Sequence, residues 1–173
     1  MTNETLNTLK TRRSCRKYLP QQITDAELEA VLEAGVWAPT AMNRQSPIIV
    51  VVQDEETRAL LSRMNAAIMG TGQDPMYGAP TILVVLADAN NRCAVQDGSL
   101  VLGNLMNAAA SIGLGSCWIN RAKEEFESEE GKALLRKWGI EGEWIGVGHC
   151  ILGYPDGPLP APKPRKEGYV VRV

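Results

Sequence analysis

The chain has 173 residues, enough for one domain with a core of its own. Its 45% hydrophobic and 22% charged residues are the balance of a globular protein, which excludes a disordered or fibrous chain. A formal net charge of −2 supplies no overall field for nucleic acid, so basic residues matter only where they cluster. Residues 4–11 read as a short helix with Leu6 and Leu9 on one face. It delivers the run Thr11-Arg12-Arg13-Ser14-Cys15-Arg16-Lys17-Tyr18. Arg12, Arg13, Arg16 and Lys17 repel one another unless water or an anion neutralises them. Guanidinium is the group best shaped to grip phosphate through paired hydrogen bonds, although a solvated basic turn has the same pattern.

Thr24-Asp25-Ala26-Glu27 is a capping box, and Ile23 is placed to staple to Leu28 across it. Leu28, Val31, Leu32 and Val36 form an apolar stripe that Pro39 cuts off, which predicts a helix over 25–36. Residues 47–52, continuous and β-branched, read as a strand buried on both faces. Residues 54–69 are helical in pattern, with Leu60, Leu61, Met64 and Ile68 on one side, and a mobile-looking loop follows at 70–75. A second buried strand is expected at 81–87.

Residues 98–120 contain no charge, yet Asn104, Asn107 and several Gly and Ser make a poor match to hydrocarbon, so no membrane span is expected. The spacing predicts a buried helix over 94–112, closed by Gly113 and followed by a short strand at 116–119. Gly103, Ala108, Ala109 and Ala110 allow another backbone to come close. A helix apolar nearly all round must be covered on every side, in part by a partner subunit. Residues 122–138 read as one acidic helix that buries Phe126, Leu134, Leu135 and Trp138, and 143–152 as the last strand. Pro155, Pro158, Pro160, Pro162 and Pro164 then exclude helix and central strand, leaving 154–173 as an extended arm. Strands alternating with helices predict a layered α/β architecture, a single domain over 1–173 with helices on both faces of one mixed sheet.

The first residues have neither the basic nor the apolar stretch of a secretion leader. Cys15, Cys93, Cys117 and Cys150 form no CxxC pair and are expected to be reduced thiols of a cytoplasmic protein. Cys117 reads as a small core residue, since nothing nearby in sequence would generate a thiolate. His149 beside Cys150 lacks further ligands at metal spacing, so no metal site is expected.

Taken together, four segments resemble the nitroreductase family, in the family's order and over nearly the whole chain. Arg12, Arg13, Ser14 and Arg16 match an Arg-Arg-Ser-x-Arg opening. Pro39-Thr40-Ala41-Met42-Asn43-Arg44-Gln45 is similar to a Pro-Ser-x-x-Asn-x-Gln segment, and Gly113-Leu114-Gly115-Ser116-Cys117-Trp118-Ile119-Asn120-Arg121 to the turn that runs under the flavin. Lys163-Pro164-Arg165 resembles a C-terminal basic pair. The resemblance implies an α+β fold, a mainly antiparallel sheet flanked by helices in an intertwined homodimer, with FMN sites shared between subunits. It implies that Arg12, Arg13 and Ser14 hold the FMN phosphate and ribityl chain, and that Lys163 and Arg165 close on the phosphate. Arg16 would reach the pyrimidine edge, where a cation stabilises negative charge at N1 and O2 of the reduced ring. Pro39, Thr40, Ala41, Asn43 and Gln45 would pack over the flavin from the other subunit. Cys117, Trp118, Ile119, Asn120 and Arg121 would lie beneath it, a backbone N–H of Asn120 or Arg121 meeting N5. Gln45-Ser46-Pro47 departs from the Gln-Pro-Trp of many relatives, so the resemblance does not fix the fit at the flavin's far side.

Each segment also has a local reading. Asn43 can bond its own backbone in a loop, 113–115 can be a helix C-cap, and the tail cations can be merely solvated. The activity implied is an FMN-dependent oxidoreductase in which NADH or NADPH reduces the flavin. A nitroaromatic, quinone or related small-molecule acceptor then takes the electrons in ping-pong order. Such chemistry needs no acid–base triad, which suits a chain with one histidine and no GxGxxG after a strand. The alternatives are a reductase or dehydrogenase of a dedicated metabolite, a non-catalytic flavin- or nucleotide-binding protein, and a thiol or metal module.

Overall fold

Residues 81–87 carry apolar side chains at every position, and in an extended strand these must alternate between two faces. In the computed structural model, which describes residues 1–173, Ile82, Val84 and Leu86 enter one core and Leu83, Val85 and Ala87 the other, all fully buried. This strand, β2 (Thr81–Asp88), is the inner partner of β1 (Pro47–Val52) and β4 (Trp144–Gly153), and β3 (Gly115–Ile119) lies outside β4. The helices are α1 (Glu4–Thr11), α2 (Asp25–Val36), α3 (Glu55–Met69), α4 (Ala94–Ser111), α5 (Ala122–Glu127) and α6 (Glu129–Lys137). The first core packs α2 and α4 on one face of the sheet, and the second packs α3, α5 and α6 on the other. No helix is long and apolar enough to cross a membrane.

All neighbouring strands are antiparallel, in the order β1-β2-β4-β3, where the alternation of elements predicted a mixed sheet. The one parallel pairing is an isolated bridge between Ser14 and Ser116. As an edge strand, β1 is only partly covered and Val51 is exposed, so its apolar run does not mean burial on both faces. A bulge between Val85 and Leu86 shifts the β4 partner from Gly148 to Gly146. Val147, between them, presses on α4 at Gly98, where a Cβ would lie 2.5 Å from the valine methyl.

The α2 capping box forms as expected: Thr24 Oγ1 accepts from Glu27 N–H at 3.3 Å, and Glu27 Oε2 accepts from Thr24 N–H at 2.8 Å. Its stripe is rotated, with Val36 exposed and Gly35 inside, where a Cβ would come 2.6 Å from Leu105. On α3, capped by Asp54, the inward side is Thr57, Leu61, Met64 and Asn65, and Ile68 points out. The loop after it is tied down by Asp74, whose carboxylate accepts from the N–H groups of Met76 (2.8 Å) and Gly78 (2.6 Å). The acidic helix of 122–138 is two helices. Ser128 leaves helical geometry (ψ 158°) and caps α6, its Oγ accepting from Gly131 N–H at 3.0 Å. Gly131 is needed there because a Cβ would collide with the Glu125 carbonyl.

Two surfaces stay uncovered. On α4, Val95 and Leu100 are exposed and Gly103 has nothing near it, so the expected cover on every side is absent within this chain. The close approaches on α4 are made at Gly98 instead. No residue of α1 is buried. At the other end, Leu19 N–H donates to the Tyr154 carbonyl (2.9 Å) and Asp156 N–H to the Lys17 carbonyl (3.0 Å), which starts the arm beside the basic run. The Tyr154 hydroxyl donates to Glu27 at 2.7 Å. From Gly157 onward every residue is exposed, including Leu159, Tyr169 and Val170.

Candidate functional site

The basic run leaves α1 at Arg12, which turns extended (ψ 135°), and lies along the start of β3. Ser14 bridges Ser116, and Cys15 N–H donates to the Ser116 carbonyl at 2.9 Å. Cys15 is buried against Gly115, where a Cβ would sit 2.8 Å from the sulfur. Arg13 Nη1 donates to the carbonyls of Lys10 (2.8 Å) and Arg12 (2.6 Å). Lys17 pairs with Asp156 at 2.7 Å, whereas Arg12, Arg13 and Arg16 have no carboxylate partner. Arg12 Nη1, Arg13 Nε and Ser116 Oγ are buried with nothing to bond. A buried guanidinium N–H left unpaired is costly, and an anion with several acceptor oxygens is what would satisfy it.

The turn after β3 lies next to this run. Cys117 and Ile119 point into the second core, and Trp118 lies on the opposite face over Gly148, where a Cβ would be 2.7 Å from the indole nitrogen. Arg16, Tyr77, Trp118, Asn120 and Arg121 line a cleft of about 220 Å³, with the Arg16 guanidinium 6.0 Å from the Tyr77 ring. Tyr77 and Arg121 both have positive φ, 54° and 76°, which bulky residues adopt only when their surroundings impose it. Behind the cleft, Asn65 Nδ2 donates to the Asn120 carbonyl at 2.7 Å, and Arg121 Nε donates to Asn65 Oδ1 at 2.9 Å. Asn65 Nδ2 also donates to Glu125, whose other oxygen meets His149 Nε2 at 2.9 Å. Asn65, Glu125 and His149 are 0% exposed. Sequence reading missed this group because its members are far apart in the chain. The available signals were a polar residue inside the α3 stripe and the only histidine within a strand.

Burial pushes the Cys150 thiol well above its ordinary range, with Arg12 pulling weakly the other way, and burial likewise raises the Tyr18 hydroxyl. Both stay protonated near neutrality, and neither is a nucleophile.

The segment 39–45 lies elsewhere. It passes through a 3-10 turn (Ala41–Asn43), and Met42, Asn43 and Gln45 have φ of 54°, 53° and 51°. Gln45 N–H donates to Thr40 Oγ1 at 3.0 Å, and Gln45 Nε2 donates to Asn43 Oδ1 at 3.1 Å, so Asn43 bonds a loop neighbour and not its own backbone. Buried Asp97 accepts from Ala41 N–H (2.9 Å) and from Asn91 Nδ2 (2.9 Å), and Asn91 Nδ2 also reaches Ser46 Oγ (2.8 Å). Pro39 and Met42 face solvent. Lys163 and Arg165 lie exposed on the arm with no side-chain partner. The fold therefore brings 12–16 and 117–121 together, and within one chain it joins neither to 39–45 nor to 163–165.

A larger hollow of about 670 Å³ lies between α3 and residues 71–79. Its cations are already committed: Arg58 donates to the Gln53 (3.1 Å) and Ala79 (3.2 Å) carbonyls, and Arg63 pairs with Glu130 at 2.7 Å. The guanidinium groups with buried, unpaired N–H are those of Arg12 and Arg13 in the basic run.

The sequence matches the nitroreductase family over residues 9–74 and 67–154. The fold is similar to that of a nitroreductase of Bacteroides fragilis NCTC 9343 solved with bound FMN. The TM-score is 0.91 and the identity 31%, covering 99% of this chain and 100% of that one. A nitroreductase with bound FMN from Desulfitobacterium hafniense DCB-2 gives a TM-score of 0.89 at 26% identity, over 100% of both chains. An NADPH-flavin oxidoreductase of Vibrio harveyi is 26% identical over 185 residues, covering 98% of this chain and 72% of that protein.

Proposed function

The chain belongs to the nitroreductase family, and on that premise we propose that it is an FMN-dependent oxidoreductase. NADH or NADPH is the donor, and a nitroaromatic, quinone or related small molecule is the acceptor, in ping-pong order. The observation that carries this reading is the set of three arginines without acid partners, two of them with buried unsatisfied N–H groups, laid on β3 beside the 117–121 turn. When bound, FMN supplies the hydride-accepting centre that no side chain here offers. Arg12, Arg13 and Ser14 hold its phosphate and ribityl chain, which satisfies the orphaned guanidinium groups. Arg16 brings positive potential to the ring's pyrimidine edge, and residues 117–121 form the floor.

The site is completed by a second copy. A cleft of about 220 Å³ is smaller than the ~300–1,000 Å³ that pockets for small ligands occupy, which supports a site completed by a second chain. In a homodimer, Pro39, Thr40, Ala41, Asn43 and Gln45 of one chain cover the flavin held by the other, and Lys163 and Arg165 close on its phosphate. The open side of α4 and the bare α1 provide apolar surface for that association. The chain then acts as one domain over 1–173 whose arm reaches across, in a cytoplasmic protein that acts on small molecules and binds neither nucleic acid nor membrane.

The test is to purify the protein, identify the released cofactor by mass spectrometry, and follow anaerobic reduction by NADH and by NADPH before adding a quinone. Bound FMN, reduction by at least one donor, and parallel double-reciprocal plots are expected. FAD in place of FMN, or no flavin even after FMN is added back, would overturn the assignment.

A further inference from the structure

The Asn120–Arg121 peptide is gripped from one side. Asn65 Nδ2 holds the Asn120 carbonyl at 2.7 Å, and Asn65 Oδ1 holds Arg121 Nε at 2.9 Å. A trans peptide is planar, so its carbonyl and its N–H point in opposite directions. Fixing the carbonyl toward Asn65 of α3 therefore turns the Arg121 N–H the opposite way, and both residues of this peptide line the cleft with Arg16, Tyr77 and Trp118. No acceptor within the chain takes that N–H. The φ of 76° at Arg121 is a conformation its surroundings must enforce.

The enforcement is built in depth. An asparagine amide can be flipped, and which end faces which neighbour is set by the donors and acceptors around it. Glu125 offers Asn65 an acceptor on the same side as the Asn120 carbonyl, and Arg121 offers a donor on the other, so only one orientation satisfies all three. Glu125 is itself held at its second oxygen by His149 Nε2 at 2.9 Å. The three side chains come from α3, α5 and β4, are fully buried, and touch no surface a substrate could reach.

We propose that Asn65, locked by Glu125 and His149, is a positioning residue that presents the Arg121 backbone N–H to the bound flavin ring. This rests on the flavin reading above. The aligned N–H and the pinned guanidinium place positive potential where electrons arrive, and loosening them disfavours the reduced flavin.

The experiment uses ¹⁵N-labelled protein stripped of flavin and reloaded with FMN. In the wild type the Arg121 amide resonance should move downfield on loading, and its exchange with solvent should slow at least tenfold. Asn65→Ala should still bind FMN but lack both changes. Its bound flavin should be at least tenfold harder to reduce in the two-electron equilibrium, a fall of about 30 mV in potential. Glu125→Gln keeps an acceptor for Asn65 and should retain the amide response. The inference is overturned if wild-type protein binds FMN while the Arg121 amide stays put and keeps exchanging, a result that needs no variant to fold. It is overturned equally if Asn65→Ala keeps the full response. Wild-type protein that binds no FMN at all would remove the flavin reading itself, and this inference with it.

Discussion

Arg16 and Arg12 belong to one short run, yet their surroundings differ, and the proposed site gives them different work. Arg16 is exposed at the cleft beside Tyr77, whereas part of the Arg12 guanidinium is buried and unpaired against the sheet. Arg16→Ala should therefore lower the flavin's potential and slow hydride transfer more than it weakens FMN binding. Arg12→Ala should mainly weaken binding, by roughly 1.5–3 kcal/mol for a lost charge-assisted bond. Redox titration and FMN affinity on both variants separate the two, and an unchanged potential in Arg16→Ala would remove the role given to it. Glu27 carries a second residue-scale prediction. Hydrogen bonds from Thr24 and then Tyr154 hold its carboxyl below the ordinary 4.5. A depressed carboxyl contributes stability that is complete above 4.5 and is lost as pH falls through its lower folded value. Glu27→Gln should melt below the wild type at pH 7, and the gap should shrink only below pH 4.5. A gap independent of pH would mean that the charge on Glu27 does not matter.

At the scale of elements, the loop at 39–46 holds an improbable backbone, three non-glycine residues at positive φ, and something must keep it there. The holder is α4, through Asp97 accepting from Ala41 N–H, with Asn91 bridging Asp97 and Ser46. Asp97→Ala leaves the Ala41 N–H and the Asn91 amide short of an acceptor, a cost of about 1–3 kcal/mol. Faster amide exchange confined to residues 40–46 is expected, together with weaker FMN retention, while Asp97→Asn keeps an oxygen for Ala41 and should be milder. Exchange rates unchanged in both variants would show that the loop holds itself. Much at this scale was legible beforehand. The Thr24–Glu27 box, the Pro39 stop and the Gly113 closure are local chemistry, and α2 and α4 begin and end close to where that chemistry puts them. The break at Ser128 was not read beforehand, and it packs the two helices so closely that a Cβ on Gly131 would collide with the Glu125 carbonyl. Val36 and Ile68 fit their stripes by spacing, but helix rotation about the axis is set by what the neighbouring layer accepts.

For the whole molecule, the separation of 39–45 from 12–16 within one chain is what the shared-site reading has to explain. Mixing Arg13→Glu subunits with Asn43→Asp subunits tests it. If sites are shared, one site in the mixed dimer collects both lesions and the other is intact, so activity should partly return. Ending the chain after Asp156, which keeps the Tyr154 and Asp156 contacts to Lys17, Leu19 and Glu27, should loosen the dimer and lose FMN together, since residues 157–173 are all exposed within their own chain. A monomer that keeps its flavin and activity would refute the arrangement.

Local chemistry along the sequence determined where most elements begin and end, which segments carry clustered cationic groups, and that the proline-rich arm could not join the core. These depend on neighbours within a few residues, and the sequence displays such neighbours directly. Only the tertiary structure decided that the sheet is antiparallel throughout. A helix of α3's length can return the chain to an antiparallel neighbour as well as to a parallel one. It also decided that Asn65, Glu125 and His149 meet. Those residues are joined by burial and hydrogen bonding across three elements, and no spacing along the chain encodes a contact made between layers.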